Sequence, residues 1–460
     1  MSILQYCLTC NKEIKANYIK INCPCGLNKN IQKELEIQEY LKKKISNFFL
    51  QKSKIETKKK FIFGQTSIPL SIPTFSDKEV IESVQSLLST YVTMGEKVIK
   101  FEKLFSNYLK IKNSVCVHSA SGANLLALSV LTNPSVKGYL RPGDEIITPA
   151  LTFATTVYPI LDIGCVPVLC DIDIETLNID EKKIESLITK KTKALMPVHL
   201  LGNPCKIDII KKIAKKHNLF LIEDAADSSG AEYHGKKVGT FGDLSTFSFF
   251  YTHIMTTIEG GMLCSNNNKF SELGKSKRAF GWIRDLKNKK SIERKYSNID
   301  PRFLFVTRGY NFKPTEIQGA FGIHQIKKLD GFVEARRKNA NYWYLKLKKY
   351  KNFFLTICEQ PKTKSAWYGF PIIVQKTAPF GKNEFIKFLN QMGVATRPIL
   401  SGNIAQQPVA KEFFYKKGNL KNAEFVNDHS FWIGNHHGIG DIERKAVVKY
   451  IDIFMQKYIN

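Results

Sequence analysis

Three short segments of the sequence contain residues whose types and spacing could bind a phosphorylated ligand and move protons. Residues 119–124, Ser-Ala-Ser-Gly-Ala-Asn, open a helical pattern, so their backbone N–H groups could face an anion. Asp224 ends an apolar strand-like run, at the edge where α/β sheets place their ligands. Ser248 and His253 lie five residues apart, shortly before a Gly-Gly pair. The first two segments are also explained as helix caps.

Four further candidate ligands, Cys7, Cys10, Cys23 and Cys25, lie near the N-terminus in a C-x2-C-x12-C-x-C pattern. Two close thiolate pairs separated by a short loop are what a tetrahedral soft-metal site needs, so the pattern predicts a structural zinc. Four free thiols are the alternative, because a C-x-C pair is less usual than C-x2-C in such sites. The other six cysteines are scattered singly among apolar neighbours and suit small buried hydrophobes better than disulfides.

The charge balance is strongly basic, with 69 Lys and Arg against 41 Asp and Glu and a net charge of +28. Such an excess suggests a nucleic-acid partner. However, the basic residues are spread along the chain, and they do not form part of a recognisable nucleic-acid-binding motif. A solvated basic surface around an anionic substrate is the favoured interpretation. No run of about 18 apolar residues predicts a membrane span. Since no apolar signal core is recognisable either, we expect a cytoplasmic protein.

The order of apolar segments predicts the elements that would position these residues. From about residue 67, short apolar runs alternate with helical patterns, which is typical of a mostly parallel sheet covered by helices. The runs are 145–150, 167–172, 193–199 and 219–224, with helical patterns at 181–189 and 206–217. Two more runs, 244–250 and 261–265, would extend the sheet without a helix between them. No G-x-G-x-x-G follows the first strand, which disfavours a dinucleotide-binding fold.

Composition divides the chain into four predicted parts. They are a cysteine module at 1–30, a helix and linker at 31–66, a large α/β domain at 67–314 and a smaller α+β domain at 315–460. In the second part, an amphipathic helical pattern covers 31–50 and a lysine-rich linker follows. In the last part, a long helical stretch covers 315–350 and a strand covers 365–374.

Several longer motifs, taken in order, make the chain similar to the DegT/DnrJ/EryC1/StrS family of pyridoxal-phosphate-dependent sugar aminotransferases. The motifs are RPGDEIITPALTFATTVYPI, VHLLGNP, LIEDAAD, VGTFGD, SFFYTH and GYNFKPTEIQGAFG. The resemblance covers residues 68–457. It implies the aspartate-aminotransferase-like fold (fold type I), with a mostly parallel large domain and a smaller α+β domain. It also implies pyridoxal 5'-phosphate or pyridoxamine 5'-phosphate as the cofactor.

The resemblance assigns roles around the cofactor to residues at matching positions. Asp224 would face the pyridine nitrogen and keep it protonated, which makes the ring an electron sink. The side chain of Phe153 would stack on the face of that ring. Ser248 and the backbone of Gly122 and Ala123 would hold the cofactor phosphate.

The resemblance also implies contributions from outside this set. Asn311 would reach the phosphate from a second subunit, which implies a homodimer with shared active sites. Asp227 stands where many relatives have glutamine, near the ring oxygen of the cofactor. Arg284, Arg308 and Arg397 are candidates for binding glutamate carboxylates or the sugar diphosphate, because a guanidinium fork suits both anions. Each of these arginines could equally form surface ion pairs.

Position 253 departs from the aminotransferase pattern. Family aminotransferases bind the cofactor covalently through a lysine there, whereas this chain has His253 and no lysine from 238 to 268. An imidazole cannot form an imine, but it can shuttle protons near neutral pH. The substitution is similar to the nucleotide-sugar 3-dehydratases of O-antigen deoxysugar biosynthesis, in particular those acting on GDP-4-keto-6-deoxymannose. The resemblance therefore implies an enzyme that uses L-glutamate to convert a nucleotide-linked 4-keto-6-deoxyhexose into a 3,6-dideoxy-4-keto sugar.

Three alternatives remain open at this point. A CDP-4-keto-6-deoxyglucose-type dehydratase would need cysteine ligands for an iron–sulfur cluster, but only Cys264 follows His253 before Cys358. An ordinary sugar aminotransferase would need the lysine that this segment lacks. A binding or regulatory protein would use the fold as a scaffold, with His253 a satisfied core histidine of an inactive paralogue. This is less favoured because Asp224, Ser248 and Asn311 keep their family positions.

Overall fold

The computed structural model describes residues 4–6, 13–15, 27–58 and 60–459. The strands are β1 (Leu4–Tyr6), β2 (Glu13–Lys15), β3 (Asn113–Val117), β4 (Glu145–Pro149), β5 (Val166–Cys170), β6 (Thr192–Leu195), β7 (Phe220–Asp224), β8 (Glu232–Tyr233), β9 (Lys236–Lys237), β10 (Leu244–Ser248), β11 (Gly261–Ser265), β12 (Phe354–Thr356), β13 (Thr363–Lys364), β14 (Gly369–Val374), β15 (Thr396–Arg397), β16 (Lys416–Lys417) and β17 (Ser430–Gly434).

The α-helices within the same residues cover the sheets and connect their strands. They are α1 (Leu27–Lys58), α2 (Asp77–Leu88), α3 (Glu96–Leu109), α4 (Ala120–Leu131), α5 (Ala154–Asp162), α6 (Glu181–Leu187), α7 (Ile207–Lys216), α8 (Asn268–Arg278), α9 (Lys289–Lys295), α10 (Glu316–Gln325), α11 (Leu329–Leu347), α12 (Lys382–Gln391), α13 (Lys421–His429) and α14 (Asp441–Met455).

The large sheet has eight strands in the order β16-β5-β4-β6-β7-β10-β11-β3. Neighbours from β16 to β10 run parallel, whereas β11 is antiparallel to both β10 and β3. Every residue of β4, β10 and β11 is buried. Burial on both faces explains why these strands are almost continuously apolar instead of alternating. The predicted mostly parallel sheet is confirmed, including the adjacent pair β10 and β11 that no helix separates.

Two strands of this sheet were not predicted from the sequence. Strand β3 inserts beside β11, and β16 returns from the C-terminal part of the chain to pair with β5. Strand β16 consists of two lysines at the sheet edge, and so short a polar segment has no strand pattern of its own. Only the packing of distant segments brings these residues to the sheet.

The C-terminal part contains a four-stranded antiparallel sheet in the order β12-β14-β17-β15. The helical stretch predicted over 315–350 is two helices, α10 and α11, because a turn closed by Lys328 N–H on the Gln325 carbonyl interrupts it. Strand β14 begins at Gly369, later than predicted. Residues 366 and 368 donate their N–H groups to carbonyls at 202 and 201 in the large domain instead of to the sheet.

The N-terminal helix is longer than predicted, because α1 continues from Leu27 to Lys58 and includes part of the expected linker. It contacts α2 through Ser46 Oγ, which donates to Asp77 Oδ2 at 2.9 Å. The strands β1 and β2 pair with each other in antiparallel register. The division of the chain into four domains stays a prediction.

Candidate active site

The carboxyl ends of β7 and β10 and the N-terminus of α4 meet at a cavity of about 520 Å³. Most of its wall comes from the large domain, while Tyr368, Arg397 and Trp432 line it from the C-terminal part of the chain. This is the edge at which parallel sheets bind ligands, because strand ends and helix N-termini face the same space there.

The N-terminus of α4 offers backbone N–H groups to an anion. Ser119 caps the helix: its Oγ accepts from Gly122 N–H at 3.1 Å and its carbonyl accepts from Ala123 N–H at 3.0 Å. The preceding N–H groups of Ala120 and Ser121 have no acceptor within the helix. Ala120 and Ser121 also line the cavity. The N–H groups of Ala120 and Ser121 are thus free at the cavity, whereas those of Gly122 and Ala123, which the resemblance assigned to the phosphate, already donate to Ser119.

Strand β11 passes close to this helix end. A Cβ atom at Gly261 would lie 2.4 Å from the Ser119 carbonyl oxygen and 2.8 Å from the Ala120 nitrogen, so only glycine permits the approach. Gly261 pairs with Ser248 in the ladder between β10 and β11. Ser248 lines the cavity, and its Oγ accepts from Phe250 N–H at 3.3 Å. The predicted serine therefore lies beside the free N–H groups of α4.

Asp224 presents a buried carboxylate to the cavity from the last position of β7. Its Oδ2 accepts from Asn124 Nδ2 at 3.0 Å and from Thr156 Oγ1 at 2.8 Å, while Oδ1 accepts from Ala226 N–H at 3.1 Å. Burial raises the pKa of Asp224, and these three hydrogen bonds act in the opposite direction. No lysine or arginine in the described part of the chain forms an ion pair with it, so the carboxylate would favour a cationic ligand.

Asp227 is a second buried carboxyl group in the cavity wall. Its Oδ2 accepts from Leu201 N–H at 3.3 Å, and its Oδ1 lies 3.8 Å from His253 Nδ1. Burial, together with the nearby charge of Asp224, raises the pKa of Asp227 to about 7. The two carboxyl groups therefore differ in hydrogen bonding and do not both ionise readily.

His253 lies on the segment after β10 and lines the cavity. Its Nδ1 is 2.9 Å from the Ala226 carbonyl oxygen, which can only accept, so Nδ1 carries the ring proton. Nε2 then carries the lone pair, and no described residue forms a hydrogen bond with it. Burial, assisted by the charge of Arg336, lowers the pKa of His253 to about 4. The imidazole is therefore neutral at pH 7 and can accept a proton at Nε2.

A sequence profile of the DegT/DnrJ/EryC1/StrS aminotransferase family matches residues 74–452. The chain belongs to this family. The GDP-4-keto-6-deoxy-D-mannose 3-dehydratase of Yersinia pseudotuberculosis is 39% identical over 376 residues, covering 80% of this chain and 94% of that protein. The lipopolysaccharide biosynthesis protein RfbH of Salmonella typhimurium is 34% identical over 410 residues, covering 86% of this chain and 93% of that protein.

A solved structure of a family member has the same fold. It is a GDP-4-keto-6-deoxymannose-3-dehydratase with a trapped PLP-glutamate geminal diamine, 36% identical with a TM-score of 0.77. The match covers 82% of this chain and 99% of that chain. The family and the aspartate-aminotransferase-like fold predicted from the motifs are confirmed.

The structure separates the remaining residues expected from the family into two groups. Phe153 and Arg397 line the cavity, and Phe153 is 52% exposed, which leaves its ring open to a ligand. Asn311, Arg284 and Arg308 lie on the surface, outside the lining of this cavity.

Asn311, Arg284 and Arg308 each contact residues outside the cavity. Asn311 Oδ1 accepts from Lys313 Nζ at 2.6 Å, and the Arg284 guanidinium lies 4.3 Å from the centroid of the Trp282 ring. The carbonyl of Arg308 accepts from the buried Lys277 Nζ at 3.0 Å. For Asn311 the family resemblance implies a role in the site of a second subunit, and for Arg284 and Arg308 anion binding was expected. Both roles stay predictions.

Several residues at the site had no role assigned from the sequence, among them Asn124, Thr156, Glu259 and Tyr368. Asn124 and Thr156 bind Asp224, and Glu259 and Tyr368 line the cavity. Asn124 had a signal, because it is a polar residue in an otherwise apolar helical pattern. Tyr368 had none, since it lies within a strand-like apolar run and cannot be told from a core residue by sequence.

The cysteines take no part in this cavity as far as the structure describes it. Cys7, Cys10, Cys23 and Cys25 lie outside the described residues, so the predicted zinc site stays a prediction. Within the described ranges, no group of three or more His, Cys, Asp or Glu could hold a metal ion. Among the helices that the structure describes, none combines the length and apolarity needed to cross a bilayer.

Proposed function

We propose that this chain is a nucleotide-sugar 3-dehydratase that depends on pyridoxal or pyridoxamine 5'-phosphate and on L-glutamate. Its substrate is GDP-4-keto-6-deoxymannose or a closely similar nucleotide-linked 4-keto-6-deoxyhexose, and its product is a 3,6-dideoxy-4-keto sugar. The observation that carries the proposal is His253, which stands at the cavity in place of the family lysine. The similarity to the Yersinia dehydratase supports the substrate class.

The cavity residues fit the cofactor. The buried Asp224 carboxylate accepts hydrogen bonds from neutral donors and has no ion pair with a Lys or Arg side chain among the described residues. It therefore suits a protonated pyridine nitrogen. The free N–H groups of Ala120 and Ser121, with Ser248 beside them, suit a phosphate. The exposed ring of Phe153 offers a face for stacking. When bound, the cofactor supplies an electron sink for bond breaking at the carbon next to the sugar ketone.

His253 supplies proton transfer without a covalent bond to the cofactor. Its Nε2 accepts a proton in the neutral ring, and the hydrogen bond from Nδ1 to the Ala226 carbonyl stabilises the charged ring that results. No lysine occurs among the described residues that line the cavity. Since amination of the sugar in this family uses that lysine, its replacement favours loss of the C3 hydroxyl over formation of an amino sugar.

The remaining polar residues suit the two anionic substrates. Arg397 lines the cavity and can bind a glutamate carboxylate or the sugar diphosphate. We propose a homodimer in which Asn311, Arg284 and Arg308 of one subunit complete the site of the other. The family resemblance supports this arrangement for Asn311, and the exposure of all three residues outside their own cavity supports it for the two arginines.

The test is a balance of products from the purified chain with pyridoxal 5'-phosphate, L-glutamate and GDP-4-keto-6-deoxymannose. The sugar should lose the oxygen of its C3 hydroxyl, while glutamate is oxidised to 2-oxoglutarate and ammonia appears in equal amount. A parallel reaction with CDP-4-keto-6-deoxyglucose distinguishes the nucleotide and sugar specificity. An amino sugar formed without ammonia release would identify an aminotransferase instead, and the absence of any product with either sugar would favour a binding protein.

A further inference from the structure

We propose that Tyr368 is a positioning residue that holds the His253 imidazole in its orientation by stacking on its face. Tyr368 comes from the C-terminal part of the chain and His253 from the large domain, so the contact joins the base to the second domain. The catalytic consequence of this contact rests on the proposed dehydratase function, whereas the contact itself does not.

The two rings stack inside the cavity wall. Their centroids are 5.0 Å apart and their planes differ by 29°. The Tyr368 hydroxyl lies 3.1 Å from Thr252 Oγ1, so it also hydrogen-bonds the residue that precedes His253. Tyr368 is 7% exposed and lines the cavity beside His253. One face of the imidazole is therefore covered by a ring that is itself nearly buried.

Tyr368 is held in place by contacts that do not involve His253. Its N–H donates to the Leu201 carbonyl at 2.8 Å, and its carbonyl accepts from Arg336 Nη1 at 3.1 Å. Its ring packs against Trp432 with the centroids 5.3 Å apart. These contacts explain why strand β14 begins only after Tyr368, and they make Tyr368 a fixed surface against which a mobile ring can be oriented.

His253 needs such a surface because its own anchors are few. Among the described residues, its ring makes one hydrogen bond, from Nδ1 to Ala226, and one edge-on contact with the Phe250 ring at 6.1 Å between centroids. Asp227 Oδ1, at 3.8 Å, is too distant to add a hydrogen bond. A histidine ring held at one nitrogen can still turn about χ2, because that torsion has no sharp minima. The stack on Tyr368 restricts this rotation and keeps Nε2 directed at the cavity.

The stack also keeps water from one face of the imidazole of His253, whose side chain is 15% exposed. Burial is the main cause of the lowered pKa of His253, so exposure of its face should raise that pKa from about 4 toward the ordinary value. Among the described residues, Asp227 and Arg336 act on the ring directly, and Asp224, Glu259 and Arg397 line the same cavity. Substitution of Tyr368 leaves all of these groups in place.

The experiment compares Tyr368→Phe, which keeps the ring, with Tyr368→Leu, which removes it. A matched control is Tyr233→Leu, because Tyr233 is also 7% exposed and stacks on a histidine, His234, with centroids 4.3 Å apart. Tyr233 does not line the cavity. Should Tyr368→Leu fail to fold, Tyr368→Met replaces it, because Met fills a similar volume without a ring.

Two readouts follow for each variant. The first is the NMR titration of the His253 imidazole in cofactor-free protein, assigned with His253→Gln, and the second is kcat and KM for dehydration. Tyr368→Leu should raise the imidazole pKa and lower kcat about a hundredfold with little change in KM, since a small misplacement of a reacting group has that effect. Tyr368→Phe, which keeps the ring, should retain the wild-type imidazole pKa and kcat. Tyr233→Leu should also leave both quantities unchanged.

Two results would overturn the proposal. One is an unchanged imidazole titration in Tyr368→Leu, and the other is a loss of kcat no larger than that of Tyr233→Leu. If the wild-type chain does not dehydrate the sugar, the proposed function is wrong, but the imidazole titration still decides whether Tyr368 orients His253.

Discussion

Asn124 donates its side-chain amide to Asp224 Oδ2 at 3.0 Å, and its own Oδ1 accepts from Thr246 Oγ1 at 2.5 Å. The second bond sets the orientation of the amide, so that Nδ2 must face Asp224. Thr246 and Asp224 are partners in the ladder between β10 and β7. Through Asn124, helix α4 thus links the neighbouring strands β7 and β10. The Asp224 carboxylate is held in position before a ligand binds, as electrostatic preorganisation requires.

Replacing Asn124 should weaken cofactor binding. Asn124→Leu removes one donor to Asp224 and leaves Thr246 without its acceptor. Because the loss of such hydrogen bonds costs about 1–2 kcal/mol, the Kd for pyridoxal 5'-phosphate should rise about tenfold. Titration of the cofactor-free protein by absorbance measures it. The control is Asn339→Leu, because Asn339 is equally buried, at 1% exposure, and is hydrogen-bonded through its side-chain amide away from the cavity. Equal loss of affinity in both variants would contradict the role of Asn124.

Replacing His253 should separate dehydration from covalent binding of the cofactor. His253→Gln should lower kcat by about 10²–10⁴-fold, because a general base is lost while the volume is kept. His253→Lys should abolish dehydration and allow borohydride to trap pyridoxal 5'-phosphate covalently on the free enzyme, as mass spectrometry can show. The wild-type chain should not be trapped. A lysine variant that dehydrates at the parental rate would show that His253 is not the base.

Asp227 should make the stability of the cofactor-free protein depend on pH. Its pKa is raised to about 7, so between pH 4 and 7 the folded chain keeps a proton that the unfolded chain has lost. The free energy of unfolding therefore falls as pH rises through this window, by about 1.4 kcal/mol per pH unit from this group. In Asp227→Asn the free energy of unfolding should not fall in this way. The variant should therefore be more stable than the wild-type chain at pH 8, but not at pH 4.

Urea unfolding at several pH values measures the effect of Asp227. The control is Asp300→Asn, because Asp300 lies on the surface and pairs only with Arg302 among the contacts of the described chain. It should give no stabilisation at pH 8. The same slope in wild type and Asp227→Asn would show that Asp227 stays ionised in the folded protein.

Substitution of Gly261 should damage the phosphate end of the cavity. In Gly261→Ala the new Cβ would meet the backbone of Ser119 and Ala120, so the N-terminus of α4 must shift. Losing aligned N–H groups should raise the Kd for the cofactor about tenfold or more. Gly331→Ala is the control, because a Cβ there meets no atom within 4 Å. Fluorescence titration with pyridoxal 5'-phosphate compares the two, and unchanged affinity in Gly261→Ala would place the phosphate elsewhere.

Mixed subunits can test whether Asn311 acts on a second chain. Asn311→Ala and His253→Gln should each be nearly inactive, whereas a shared site predicts recovery on mixing. A mixed dimer then has one site with both substitutions and one with neither, so an equal mixture should regain about a quarter of wild-type activity by random pairing in a two-fold dimer. If Asn311 serves its own subunit's site, mixing restores nothing.

Much of the site was predictable because its signals are local. The runs ending at Asp224 and Ser248 are buried strands whose apolar residues mark them, and polar residues at strand ends in α/β sheets point to the ligand edge. The replacement of a lysine by His253 is visible without coordinates, because it depends on residue identity alone. The assignment of Gly122 and Ala123 to the phosphate stays a prediction, although their N–H groups already have acceptors in the helix cap. The sequence pattern could not show that the side chain and carbonyl of Ser119 already use those two N–H groups.

The sequence by itself determined the family, the mostly parallel sheet and the histidine that distinguishes the chain from aminotransferases. Local periodicity and residue type carry that information. Only the tertiary structure decided that Asn124 orients Asp224, that β3 and β16 join the sheet, and that Tyr368 covers His253. Each of these contacts joins residues far apart in the chain. They are set by how helices and strands pack together, and no short stretch of sequence encodes that packing.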